Sequence, residues 1–131
     1  MVGGVDAAPG WSRRVAGRCR LTLLEGPVER AEAQGVREGL LPRADLVAAC
    51  SLSREELTWA SSVLGIGKLF EDYGAMLASS DLDAVFLASS SSAHAAQSIE
   101  ALRRGLHVFC EKPIGLSVEE CLSVEREVSE A

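Results

Sequence analysis

The sequence predicts an α/β fold, a doubly wound parallel sheet of Rossmann-like type formed as a single domain. Three observations predict it. Apolar runs of strand length alternate with helical stretches about five times along the chain. The most apolar run, Ala84–Ala88, is continuous rather than alternating, as a strand covered by helices on both faces should be. The helical stretches open on capping signals and close on glycine, at lengths that suit right-handed crossovers between parallel strands.

The elements follow in order. Residues 1–18 carry Gly3, Gly4, Pro9 and Gly10 without periodicity and read as a flexible tail ahead of a domain spanning 19–131. Leu21–Leu24 is the first strand. Residues 28–40 are helical but weakly amphipathic, and Pro42 breaks the chain before a second strand at Leu46–Cys50. Ser53 and Glu56 form a capping box, with Leu57, Ala60, Val63 and Leu64 on one helical face and Gly65 as the stop. Lys68–Phe70 is a short third strand and Asp72 to Ser79 a short helix. After the strand at 84–88, residues 93–104 form a helix with Ala95, Ile99 and Leu102 on one face, closed by Gly105. His107–Cys110 is the fifth strand. Ser117 and Glu120 make a second capping box, opening a helix that carries Val118, Cys121, Leu122 and Val128.

Composition narrows the function classes. Hydrophobic residues are 47% and charged residues 24%, ordinary for a water-soluble domain. The net charge of −6 disfavours a polyanion such as nucleic acid as partner. No run approaches the roughly 18 apolar residues of a membrane span. Cys19, Cys50, Cys110 and Cys121 form no C-x-x-C pair and do not cluster with histidine. They read as reduced thiols of a cytoplasmic protein, and no metal site is expected.

In an open parallel sheet, ligands bind outside the carboxyl ends of the strands, so four places can hold chemistry. The turn after Leu24 should carry G-x-G-x-x-G for a pyrophosphate, but reads Leu24-Glu25-Gly26-Pro27-Val28-Glu29. Only Gly26 remains there. Each acid beside a phosphate costs about 1–4 kcal/mol. The turn is either a weakened phosphate site or none. Gly65-Ile66-Gly67 follows a helix and is a poor substitute. The end of the second strand offers Ser51 where an acid would grip a ribose. Ser51, Ser53 and Arg54 lean toward a 2′-phosphate, hence NADP, unless Ser53 is only a cap and Arg54 a solvated side chain. Ser89, Ser90 and His94 follow the fourth strand, where the middle of a cofactor would pass. Glu111, Lys112 and Pro113 follow the fifth, where Lys112 can aim a cation into the cleft or form a structural ion pair.

These last two places carry a family resemblance. Residues 44–131 contain ADLVAAC and then YGAMLASSDLDAVFLASSSSAHAAQSIEALRRGLHVFCEKPIGLSVEEC. The D-x-D-A-V run, the histidine five residues after Ser89 and the G-x-H-V-x-C-E-K-P segment occur together and in order. The stretch resembles the N-terminal domain of the Gfo/Idh/MocA oxidoreductases and covers roughly two-thirds of the chain. The resemblance implies a domain binding NAD or NADP, and in intact relatives a sugar or polyol oxidised at a secondary alcohol. It implies that Glu111, Lys112 and Pro113 are the family's E-K-P signature, with Lys112 the catalytic candidate beside nicotinamide and substrate. His94 matches the family's histidine. Ser90 and Ser91 depart from its usual loop.

The glycine loop departs as well, and the family continues into a second α/β domain that supplies the substrate pocket and the acid/base groups. The chain is therefore expected to be a fragment with negligible turnover alone. Its bared apolar surface is expected to favour a homo-oligomer. An open alternative is a non-catalytic interaction module that keeps the fold and has given up the cofactor.

Overall fold

The computed structural model describes residues 19–24, 44–79 and 81–131. The tail expected over 1–18, the helix expected over 28–40 and Gly26 lie outside them. Five strands form one sheet: β1 (Cys19–Leu24), β2 (Ala44–Cys50), β3 (Lys68–Phe70), β4 (Ala84–Leu87) and β5 (His107–Cys110). The described helices are α1 (Arg54–Leu64), α2 (Tyr73–Ser79), α3 (His94–Arg103) and α4 (Val118–Glu130). The strand order is β3-β2-β1-β4-β5, and every pairing is parallel. The chain thus builds outward from β1 to β3, returns to the other side of β1, and builds outward again.

Side-chain alternation along the strands puts helices on both faces. Ala48, Cys50, Val85 and Leu87 point to one side and join Met76 and Leu77 of α2 and Ala101 of α3. Ala49 points to the other and meets Ala60 of α1 and Ile66. Small residues at 48 and 49, at 0% and 4% exposure, let the helices approach the sheet closely.

Local chemistry explains the helix ends. Ser53 accepts from the Glu56 amide at 3.4 Å at the start of α1. Gly65 ends the helix at φ 70, a left-handed conformation that costs glycine nothing, and its amide bonds to the Ser61 carbonyl at 3.1 Å. The glycine pair at 65 and 67 is therefore a helix stop, and Ile66 between them is a core residue at 2% exposure. Ser117 accepts from the Glu120 amide at 3.1 Å, and the Glu120 carboxylate accepts from the Leu116 amide at 2.6 Å. That return contact brings Glu120 so close to Gly115 that a Cβ there would lie 2.8 Å from the Glu120 Cβ.

Two helix faces differ from expectation. In α3 the buried positions are His94, Ala95, Ser98 and Ala101, while Ile99 and Leu102 are half-buried. The inward face is thus shifted from the most apolar one. Ile99 instead lines the crevice between α3 and α4. In α4, Val124 is the buried residue, and Val118, Leu122 and Val128 are exposed along with Cys121. α4 packs against α3 with Val124 buried and Glu127 paired to Arg103 at 3.0 Å. On β4 and β5, Phe86 stacks on Phe109 with ring centroids 4.6 Å apart, and Phe109 stays 59% exposed. Among the described residues, no helix is long and apolar enough to cross a membrane.

Candidate cofactor site

Register aligns the strand tips. Leu24 pairs with Cys50 on one side and Leu87 on the other, Cys50 with Phe70, and Leu87 with Cys110. The segments after β2, β4 and β5 therefore leave the sheet along one edge. Two further backbone bonds extend the ladder: Ser51 N–H donates to the Phe70 carbonyl at 3.0 Å, and Glu111 N–H to the Leu87 carbonyl at 2.8 Å. The winding direction reverses between β1 and β4, and a sheet of this kind opens a crevice at that reversal.

After β2, Ser51 is 5% exposed. Its hydroxyl donates to Glu56 Oε2 at 3.0 Å and accepts from the Ser53 amide at 2.7 Å. The expected capping box is thus a relay, in which the Glu56 carboxylate reaches the turn through Ser51 rather than directly. The Arg54 side chain is 93% exposed, with Nε 3.9 Å from the Glu71 carboxylate.

After β4, Ser89 is half-buried and its hydroxyl donates to the Gln97 side-chain oxygen. Ser90 and Ser92 are exposed with hydroxyl oxygens 3.4 Å apart. The Ala93 amide bonds back to the Ser90 carbonyl at 2.9 Å and closes the turn into α3.

His94 joins the two rims of the site. It is 2% exposed, with Nδ1 2.7 Å from the Pro113 carbonyl oxygen and Nε2 2.9 Å from that of Ser89. A carbonyl only accepts, so each contact draws on a ring N–H; the neutral ring supplies one and the protonated ring two. The loop after β4 and the segment after β5 are held to each other through this ring. The Lys112–Pro113 peptide is cis. Glu111 is half-buried, and Lys112 and Pro113 are exposed. Of the sequence-expected groups, Ser89, Ser90, His94, Glu111, Lys112 and Pro113 therefore gather on one rim, and Ser51 and Arg54 sit at the end of β2. The His94 ring is enclosed between two backbone carbonyls, so both of its nitrogens are engaged within the protein.

Sequence reasoning named Glu56 only as a cap and missed Gln97 and Tyr73. Tyr73 O–H donates to the Gln97 carbonyl at 2.9 Å, so α2 braces the residue that holds Ser89. Burial pushes the Tyr73 phenol well above its ordinary range, with the nearby Glu100 carboxylate adding to the effect. Burial likewise raises the Cys110 thiol above its ordinary range. The signal for Gln97 was its place one turn into α3 from His94, which periodicity alone does not mark as functional.

A five-stranded parallel sheet of this order is that of a dinucleotide-binding Rossmann domain. The family described as "Oxidoreductase family, NAD-binding Rossmann fold" (GFO_IDH_MocA) matches residues 28–131. The chain belongs to the Gfo/Idh/MocA oxidoreductases. It is 42% identical over 80 residues to D-xylose 1-dehydrogenase (NADP(+)) 2 of Haloferax volcanii, covering 59% of this chain and 24% of that protein. It is 35% identical over 82 residues to inositol 2-dehydrogenase 3 of Saccharopolyspora erythraea, covering 62% and 24%. The scyllo-inositol dehydrogenase of Lactobacillus casei, solved with NAD(H) and scyllo-inositol, superposes with a TM-score of 0.81 at 34% identity, over 86% of this chain and 33% of that one. The chain thus spans about a quarter of the curated relatives' length and a third of the solved one.

Proposed function

We propose that the chain binds a nicotinamide dinucleotide across the strand tips, as the cofactor half of an oxidoreductase acting on a secondary alcohol of a sugar or polyol. The observation that carries the reading is the His94 bridge. It holds the Lys112 segment beside the serine loop at the point where the sheet reverses. Small side chains at Ser89 and Ser90 leave room for a cofactor to lie along that rim, and the exposed Lys112 ammonium stands at its end.

In this reading Gly26 serves the pyrophosphate turn, and Ser51 and Arg54 flank the adenosine ribose. Ser89 and Ser90 run along the middle of the cofactor. Glu111 and Pro113 shape the segment that presents Lys112, the catalytic candidate, to nicotinamide and substrate. The nicotinamide supplies hydride transfer when bound. Lys112 offers charge and a hydrogen-bond donor to the alcohol oxygen, and His94 keeps that donor in place. The named substrates of the relatives, inositols and D-xylose, support a polyhydroxylated substrate. A general base and a substrate pocket are also required for turnover.

Titrating the purified chain with NADH and following its fluorescence tests the reading. Saturable binding at micromolar concentration is expected, weakened by Lys112→Ala and by His94→Leu. No saturation up to millimolar concentration refutes it and favours an interaction module.

A further inference from the structure

We infer that Glu56 reads the adenosine ribose of the cofactor and makes the site selective for NAD over NADP. The inference rests on the dinucleotide reading above and adds a residue and a preference to it. In this fold an acid at the end of the second strand takes the ribose hydroxyls, while NADP is accommodated by an arginine nearby. The position after β2 holds Ser51, and the sequence accordingly leans toward a 2′-phosphate on Ser51, Ser53 and Arg54.

The structure returns an acid to that place from five residues on. The Ser51 hydroxyl donates to Glu56 Oε2 at 3.0 Å. Ser51 itself is fixed: it is 5% exposed and accepts from the Ser53 amide at 2.7 Å. One carboxylate oxygen is thereby anchored at the carboxyl end of β2, on a half-buried side chain. An ionised carboxylate only accepts hydrogen bonds. Both hydroxyls of a free ribose can donate to it. A 2′-phosphate is itself an anionic acceptor and meets it with repulsion.

Arg54, the cation that could offset this preference, is 93% exposed with its Nε 3.9 Å from the Glu71 carboxylate, so solvent screens its charge and Glu71 shares it. Glu55, exposed in the same first turn of α1, adds a second negative charge. The partial positive charge of the α1 N-terminus favours an anion, but Glu55 and Glu56 already meet it within that turn.

The test compares NADH and NADPH affinities, by cofactor fluorescence, for the native chain, Glu56→Gln, Ser51→Ala and, as a control for net charge, Glu119→Gln on α4. A glutamine amide oxygen still accepts from Ser51, so an unchanged Tm serves as the folding control. The native chain is expected to bind NADH about tenfold or more tighter than NADPH. Glu56→Gln narrows that ratio severalfold, Ser51→Ala narrows it by releasing the Glu56 carboxylate, and Glu119→Gln, exposed on α4, leaves it unchanged. Equal affinities, a preference for NADPH, or a ratio insensitive to Glu56→Gln or moved as much by Glu119→Gln each overturn the inference while leaving dinucleotide binding intact. If Glu56→Gln does not fold, the native ratio and Ser51→Ala decide. Binding of neither cofactor overturns the inference and the proposed function together.

Discussion

At the scale of single residues, the proposed site rests on a chain of hydrogen bonds that runs from α2 to its rim. Tyr73 braces Gln97, Gln97 holds Ser89, and His94 ties Ser89 to Pro113. Such buried links are costly to break, because a carbonyl left without its donor loses about 1–3 kcal/mol. Tyr73 gives the chain a measurable response to alkali. It is the one tyrosine in the sequence. Unfolded, its phenol ionises near 10.0; folded, burial and Glu100 hold the proton to higher pH. A raised folded pKa means that the phenol's contribution to stability is complete below pH 10.0 and is lost as pH climbs above it. Tyrosinate absorbance should therefore rise only together with the loss of helical circular dichroism. Tyr73→Phe should unfold less steeply with pH in that range, although it gives up the hydrogen bond to Gln97. Reversible tyrosinate formation near pH 10.0 with helicity intact contradicts the assigned burial.

At the scale of elements, the exposed strip of α4 separates what patterning reveals from what it hides. Strand β4 was legible because its apolar run is unbroken, and α1 and α4 began at Ser53 and Ser117 because each serine caps an amide three residues on. The inward faces of α3 and α4 were not legible. An apolar count treats every hydrophobic position alike, but α4 packs against α3 with Val124 buried and Val118, Leu122 and Val128 left exposed. In α3 the polar His94 and Ser98 occupy the core side, which a hydrophobicity pattern cannot anticipate. The site divides similarly. Lys112 and His94 were visible from their position after strands, whereas the Ser51–Glu56 bond crosses a strand-to-helix turn and needs coordinates. The rotation of α4 is checked by two substitutions and a thermal melt. Val124→Ala should cost about 1–2 kcal/mol, as truncation of a buried side chain does. Leu122→Ser, at 49% exposure, should stay within about 0.5 kcal/mol. The opposite ranking would place the helix the other way round.

At the scale of the whole molecule, charge sets the terms on which a cofactor arrives. The chain carries a net charge of −6, and a nicotinamide dinucleotide is itself an anion. Their long-range interaction is repulsive, and it reaches far at low salt: the screening length is about 30 Å at 0.01 M and about 8 Å at 0.15 M. The local field works in the other direction. Lys112 stands exposed at the rim, and in the proposed binding mode it would lie within a screening length of the cofactor. The two effects differ in range, so ionic strength separates them. If the acidic surface dominates the approach, adding salt removes repulsion and NADH binds faster and more tightly between 0.01 M and 0.15 M, the reverse of a site built on a basic patch. The relays at Ser51 and His94 favour this outcome, since they fix the two rims through hydrogen bonds rather than through clustered cations. Stopped-flow fluorescence over that salt range provides the measurement. An association rate that rises with salt while the dissociation rate holds nearly constant is the expected result. An association rate that falls with salt would mean that the cations at the rim outweigh the net charge and would make Lys112 the dominant steering group.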